Sequence, residues 1–418
     1  MTTAATHLEC DDCRARYGLL DPVNTCRGCG GLLDAVYDLE GLRQRLDLDA
    51  VLRRPNTVWR WRELLPLVDD NHRVTLGEGG SPLLMCERVG EAIGLRRLAA
   101  KNDAMNPTAS FKDRSFTISV SKAKELGVRL GFTYTSGNAG ASFAAYMAKA
   151  RIPSVVLVKD WATREKIAMI RIYGCRTVIL SYDSFAEVTR MLEEAVKRLG
   201  IYQFVLFINP YRHEGYKSYA YELWNDLGRR VPDWVIQPVS NGGGLYGLWK
   251  GFRELKALGL ADRLPRLVAC QPTASPPIVR AFEAGKTVAE RFGDPRASIA
   301  QSIGSDAPIG GGRRILRALA DTRGRAVAAT DSAMLEAMAL LGRDGLFVEP
   351  SSAITVAAAK QLASEGIIGP EDRVVCILTG SGLKQPAAVD QVFPQGLEHI
   401  HARIEELEPL LLPTGGEG

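Results

Sequence analysis

No block of five or six like charges occurs along this chain, which argues against a basic arm for nucleic acid. The net charge is only +4 over 418 residues and is dispersed, so no polyanionic partner is expected. Long apolar runs are lacking too. The apolar segment RLGIYQFVLFI is too short and too β-branched to span a bilayer, and no membrane association is expected. The first residues, MTTAATHLECDD, have neither a basic n-region nor an apolar h-region. No signal peptide is expected there, and a cytoplasmic location follows as the default. Cysteine is sparse outside one place. Cys86, Cys175, Cys270 and Cys376 are scattered among apolar neighbours and read as small core residues. The other four lie in the first thirty residues, and no disulfide framework is expected.

Those four are spaced as two knuckles: Cys10 and Cys13, then twelve residues, then Cys26 and Cys29 followed by two glycines. Paired CxxC motifs at this spacing point to one zinc held by four thiolates, a closed site whose role is structural. A zinc ribbon can also bind nucleic acid. Here Arg14, Arg16 and Arg27 are balanced by Glu9, Asp11, Asp12 and Asp21, which speaks against a phosphate-binding face.

After a polar connector that ends in Trp59, Arg60 and Trp61, apolar runs alternate with amphipathic segments from Val74 onward. GFTYTS, SVVLVKD, TVILSYD and YQFVLFI read as strands, and ASFAAYMAKA, REKIAMIRIYG and FAEVTRMLEEAVKRL as the helices between them. A second series runs through DWVIQPVS, LYGLWKGFRELKAL, RLVACQPT, SAITVAAAKQLASEG and RVVCILTG. Strict alternation implies βαβ units and parallel sheets, hence an α/β fold. Between about residues 276 and 326 the pattern weakens around Gly310, Gly311 and Gly312, which read either as an active-site loop or as a solvated surface loop. The tail LLPTGGEG is expected to fray.

Four short motifs sit where strands end or helices begin, the edge at which open α/β sheets bind ligands. NPTASFKDR places Lys112 at a helix start, where burial and the helix dipole lower a lysine pKa as imine-forming chemistry requires. Thr135, Ser136, Gly137, Asn138 and Ala139 form a small-residue turn into a helix, suited to a substrate carboxylate. Ser240 to Gly247 is a glycine-rich strand-to-helix turn suited to a phosphate, without the GK[ST] of a nucleotide loop. Thr379, in LTGSGLK, supplies a neutral hydroxyl. Taken alone, the Lys112 and Thr135 motifs read better as an ordinary surface lysine and an ordinary turn, and the Thr379 motif means little. Together they supply an amine, a carboxylate site, a phosphate site and a hydroxyl, the complement that pyridoxal phosphate (PLP) and an amino-acid substrate need.

The segments LGEGGSPLL, NPTASFKDRS, TSGNAGAS, NPYRHEGYKSYAYELW, PVSNGGGLYG, FVEPSSA and VCILTGSGLKQP resemble, in order, those of the fold-type II PLP enzymes. They cover roughly residues 59 to 386 and are most similar to threonine synthase. The resemblance implies two parallel-sheet domains with the cofactor between them: a larger one from 39–95 and 226–405, and a smaller one from 96–225, after a zinc ribbon over 1–38. It implies a homodimer and a small amino-acid substrate. It implies that Lys112 carries the cofactor and acts as catalytic base, with Phe111 beside it. It also implies that Asn138 meets the ring oxygen, that Gly242, Gly243, Gly244 and Leu245 hold the phosphate, and that Thr379 meets the ring nitrogen. Arg212 and Lys217 are kept as candidates for a substrate phosphate site, with Arg313 and Arg314 as further cations to complete that site. The chain departs from threonine synthases at Ala139, where they carry threonine, at Leu206 and Phe207, where neutral donors are expected, and at Ser381, where they carry histidine. The expected activity is therefore O-phosphohomoserine to threonine plus phosphate, with β-elimination or β-replacement on serine, phosphoserine or threonine as the alternative. The alternative of another class is a non-catalytic nucleic-acid binder on an inactive PLP scaffold, which would be colourless when purified.

Overall fold

Three sheets carry the strands among the described residues. The computed structural model describes residues 3–411 except 136, 182–184 and 396. Ser136, the end of TVILSYD and the tail beyond residue 411 lie outside the described residues.

The first sheet is a three-stranded antiparallel ribbon of Arg16–Tyr17, Ala5–Cys10 and Leu33–Tyr37. Its core continues into the body through Trp59, Leu65, Ile118 and Tyr211. The stretch after it is not merely a polar connector. It forms two short helices, Leu39–Arg45 and Leu48–Arg53, and a 3-10 segment, Val58–Leu64, that buries Trp59 and Trp61.

The second sheet orders its six strands Arg325–Ala329, Arg266–Pro272, Trp234–Pro238, Arg373–Leu378, Arg97–Asn102 and Leu83–Met85. The first five run parallel, and the last is an antiparallel edge. Runs such as VVCIL are apolar throughout because helices cover both faces. Helices Gly243–Ala257 and Arg313–Asp321 pack one face; Asp331–Arg343 and Pro350–Ser364 pack the other. The third sheet is parallel, ordered Arg176–Leu180, Ser154–Lys159, Gly131–Thr135 and Tyr202–Gln203. Helices Lys112–Glu125 and Asn138–Ala150 share its core through Phe116, Val120, Phe143 and Met147.

Three expectations need correction. YQFVLFI is a strand only over Tyr202–Gln203; the chain then turns, with Asn209 N–H donating to the Val205 carbonyl and Phe207 at φ 64°. Its later apolar residues fill the core rather than a sheet. Arg97–Asn102, expected in the smaller domain, pairs with Arg373–Leu378 in the six-stranded sheet. The weak stretch around residue 310 holds a 3-10 turn, Ile309–Gly312, whose three glycines all sit at φ near 62°. It is followed by a helix, a strand and another helix that the sequence pattern did not separate.

Candidate active site

Lys112 begins the Lys112–Glu125 helix, and the turn before it is stitched to the far side of the fold. Phe111 N–H donates to the Thr379 carbonyl at 2.9 Å, and Ser381 N–H to the Ala109 carbonyl at 3.1 Å. The next residue, Asp113, is buried and locks the turn from within, accepting from Thr108 N–H at 2.7 Å, Thr108 Oγ1 at 2.6 Å and Ser142 Oγ at 2.5 Å. Burial raises its pKa to about 6 in spite of those donors. The Lys112 amine lies 4.1 Å from the Phe111 ring centroid, and that ring stacks on Tyr216 at 5.0 Å. Burial, then the nearby positive charge of Arg212, pushes the Lys112 pKa down to about 7; Glu349 opposes this and Lys384 reinforces it. The amine is thus kept close to half free base at neutral pH.

The same cleft is lined by Asn138, Thr135, Arg212 and the turn from Ser240 to Gly244. Gly242 caps the Gly243–Ala257 helix in the left-handed region, at φ 87°. Gly243, Gly244 and Leu245 are its first three helical residues, whose N–H groups have no partner within the helix. Here the glycines are also packing requirements. A Cβ on Gly243 would come within 2.6 Å of Leu206 Cδ1, and one on Gly244 within 2.6 Å of Gln237 Nε2.

On the opposite wall, Thr135 ends a strand of the four-stranded sheet, and its Oγ1 accepts from Gly137 N–H at 3.1 Å. Asn138 starts the next helix and is buried. Its Nδ2 donates to Glu349 Oε1 at 2.8 Å and to Ser302 Oγ at 3.1 Å, while its Oδ1 has no partner. Ala139 lines the cleft as a half-buried methyl. Thr379 is buried, with its hydroxyl against Ser352 Oγ at 3.1 Å.

Arg212 is 3% exposed, and its guanidinium donates to Ser115 Oγ at 3.0 Å and the Phe204 carbonyl at 2.9 Å, leaving Nη2 unpartnered. Lys217 is not in the cleft. Its ammonium is fully buried against Glu214 at 2.8 Å and Glu254 at 2.9 Å, and lies over the Tyr37 ring at 3.8 Å. Two carboxylates already neutralise it. Arg313 and Arg314 face the ribbon instead of the cleft: Arg314 Nε pairs with Asp11 at 2.8 Å and Arg313 Nη1 with Asp12 at 3.3 Å. Of the residues at departures from threonine synthase, Leu206 lines the cleft, whereas Phe207 packs away against His213 and Tyr246.

The structure adds groups to which the sequence motifs assigned no role. Lys159 ends the Ser154–Lys159 strand in the cleft wall, and burial pushes its pKa to about 8. Lys384 is 2% exposed, its amine has no hydrogen-bond partner, and burial again lowers its pKa to about 8. Glu349, fully buried before the Pro350–Ser364 helix, lies 3.6 Å from the Lys166 amine. A glutamate directly before proline at a helix start was the available sequence signal, but nothing local marks it as facing a cleft.

At the ribbon, the four cysteine sulfurs converge, with Cys10 to Cys29 and Cys13 to Cys26 each at 3.5 Å, and Cys13 to Cys29 at 3.4 Å. A tetrahedral zinc about 2.3 Å from each sulfur spaces them roughly 3.8 Å apart, so the cluster fits with small adjustment. A second grouping, Asp34, His213 and Glu214, already holds an ammonium: Lys250 Nζ is 2.6 Å from both carboxylates.

Comparison with known proteins identifies the family. Residues 74–380 match the family described as pyridoxal-phosphate dependent enzyme. Threonine synthase of Methanocaldococcus jannaschii is 38% identical over 381 residues, spanning 91% of this chain and 93% of that one. The Methanosarcina acetivorans threonine synthase is 37% identical over 92% of this chain and 94% of its own. Among solved structures, the processed form of threonine deaminase isoform 2 from Solanum lycopersicum superposes with a TM-score of 0.64 at 18% identity, covering 86% of this chain and 95% of that one. Maize serine racemase gives 0.61 at 20% identity, covering 75% of this chain and 92% of that one. These last two speak for the fold alone. With a family match across most of its length and threonine synthases among its relatives, the chain belongs to the fold-type II pyridoxal-phosphate dependent enzymes.

Proposed function

We propose that this chain holds pyridoxal phosphate on Lys112 and converts O-phosphohomoserine and water to threonine and phosphate. The observation that carries the reading is the Lys112 amine, desolvated to a pKa of about 7 in the same cleft as the glycine-rich helix start. The fit of the cofactor is supported by a buried donor without a partner in the cleft wall, Arg212 Nη2. Gly242, Gly243, Gly244 and Leu245 would hold the phosphate through backbone N–H groups, with Phe111 beside the ring. Asn138 would meet the ring oxygen and Thr379 the ring nitrogen. Bound there, the cofactor supplies a sink for the negative charge that develops at the substrate α-carbon.

The protein's own part is binding and proton transfer. Thr135, Ser136 and Gly137, before the Asn138–Ala150 helix, receive the substrate carboxylate, where the helix dipole favours an anion. Lys112 Nζ accepts the α-proton and later returns one. Arg212 and Lys159 are the cations of the cleft available to a distal phosphate, in place of Lys217. The division we propose between a larger and a smaller domain follows the six-stranded and four-stranded sheets. One zinc on Cys10, Cys13, Cys26 and Cys29 would hold the ribbon. Metal analysis of protein prepared without chelators should find one zinc per chain, and Cys26→Ser should lose it.

Ala139 and Leu206 put apolar surface on the cleft wall, and this favours a second reading: β-elimination or β-replacement on serine, phosphoserine or threonine. Phosphate release with threonine as product, assayed beside those amino acids, tests both. Turnover of O-phosphohomoserine, lost in Arg212→Met, supports the first reading. Its absence, with α-proton exchange on serine or phosphoserine, replaces the first by the second.

A further inference from the structure

Asn138 and Lys166 stand on the four-stranded-sheet side of the cleft, whereas Ser302 and Glu349 stand on the six-stranded-sheet side. The four side chains form one closed hydrogen-bonded set. Glu349 Oε1 accepts from Asn138 Nδ2 at 2.8 Å, and Glu349 Oε2 accepts from Ser302 Oγ at 2.9 Å. Ser302 Oγ in turn accepts from Asn138 Nδ2 at 3.1 Å and from Lys166 Nζ at 3.1 Å. A hydroxyl has one donor and two acceptor positions, so Ser302 is saturated. Both hydrogens of the Asn138 amide are likewise committed, while Asn138 Oδ1 is left buried and unpartnered.

This arrangement determines which way the amide faces. A carboxylate only accepts, so turning the Asn138 amide over would set its oxygen against Glu349 and lose a charge-assisted hydrogen bond. There is little room to relax sideways. Gly380 closes the same corner, and a Cβ there would come within 2.7 Å of Glu349 Oε1 and 3.2 Å of Asn138 Nδ2. The Gly380 carbonyl also fixes Glu349 by accepting its backbone N–H at 3.1 Å.

We infer that Glu349 is a positioning residue that holds the Asn138 amide donor-outward for the cofactor's ring oxygen, and that Ser302 is the partner Asn138 gives up when that oxygen arrives. The inference rests on the proposed meeting of Asn138 with the ring oxygen. An arriving oxygen anion needs one Nδ2 hydrogen. The contact to Ser302 is longer and uncharged, so it yields before the contact to Glu349. The exchange is cheap, because Ser302 keeps its bonds to Glu349 and Lys166.

The test is a double-mutant cycle on cofactor binding, read from visible absorbance as pyridoxal phosphate is titrated into apo-protein. It is run at about pH 9, where the Lys112 amine is free base in every variant. Asn138→Ala should raise the cofactor Kd about tenfold, the loss of one hydrogen bond to a charged group. Glu349→Gln keeps the shape but lets the amide pair either way round, and should raise Kd several-fold. The double variant should be no weaker than Asn138→Ala alone, because Glu349 acts through that amide. Ser302→Ala should bind the cofactor as tightly as the parent or more tightly. Additive losses in the double variant, or weaker binding in Ser302→Ala, would overturn the inference while leaving the site reading intact. An Asn138→Ala variant with unchanged Kd and spectrum would remove the site reading and the inference with it. Circular dichroism and the unfolding midpoint of each apo-variant separate these outcomes from misfolding.

Discussion

Lys112 offers the sharpest quantitative consequence. An ordinary lysine of pKa 10.5 is about 0.03% free base at pH 7, whereas one at about 7 is about half free base. The gain in reactive amine is on the order of a thousandfold, at about 1.4 kcal/mol per tenfold. The rate at which apo-protein captures pyridoxal phosphate should therefore level off above about pH 7 rather than climb through pH 10. The neighbours fix the direction of change on mutation. Arg212 lowers this pKa, so Arg212→Met should move the inflection upward. Glu349 raises it, so Glu349→Gln should move the inflection downward. The same shift bears on stability. The folded value lies below the unfolded one, so the unfolded chain takes up the extra proton between about pH 7 and 10.5. The burden on the fold is complete below about pH 7 and fades as pH rises toward 10.5. Lys112→Met should thus stabilise apo-protein at neutral pH by up to a few kcal/mol, with the advantage shrinking at higher pH, as denaturant midpoints would show. An inflection above pH 10, or variants that shift it in the opposite directions, would refute the reasoning.

Three further outcomes follow from particular contacts. Arg314→Met removes a guanidinium that is 3% exposed and bonded to Asp11 at 2.8 Å and the Leu33 carbonyl at 2.9 Å, so unfolding should become easier by about 3 kcal/mol and chelators should remove the proposed zinc faster. Unchanged thermal unfolding would show that the ribbon does not lean on this contact. Gly243→Ala should weaken cofactor binding about tenfold, since its Cβ would meet Leu206 Cδ1 at 2.6 Å, and Leu206→Ala should restore it. Failure of that rescue would mean that the strain lies elsewhere. Lys159→Met should raise the KM for a phosphorylated substrate by about tenfold and leave serine almost untouched, because only the former brings a charge to pair. Equal effects on both would remove Lys159 from the phosphate end of the cleft.

How much of this was legible in the sequence depended on whether a feature is local. The cysteine knuckles and the turns at Lys112, Asn138 and Gly242 are contiguous segments whose chemistry and geometry come together, and their positions follow from strand and helix ends. The set formed by Asn138, Lys166, Ser302 and Glu349 draws on four distant segments, and none is unusual in isolation. The apolar run after Tyr202 was misleading for a related reason. Periodicity cannot tell a buried strand from a turn whose side chains fill a neighbouring core. Lys217 is the instructive case, because the signal was present. Glu214 stands three residues before it, within reach on one helical turn, and the pair forms at 2.8 Å. Glu254 then arrives from the Gly243–Ala257 helix at 2.9 Å. A buried cation with two carboxylates at contact distance has little charge left for a substrate. Arg212, the residue after Tyr211, has no such carboxylate beside it among the described residues and keeps Nη2 unpartnered. What distinguishes a cation held for a ligand from one held for the fold is therefore the acid that is missing beside it, and that can be read only once distant segments are brought together.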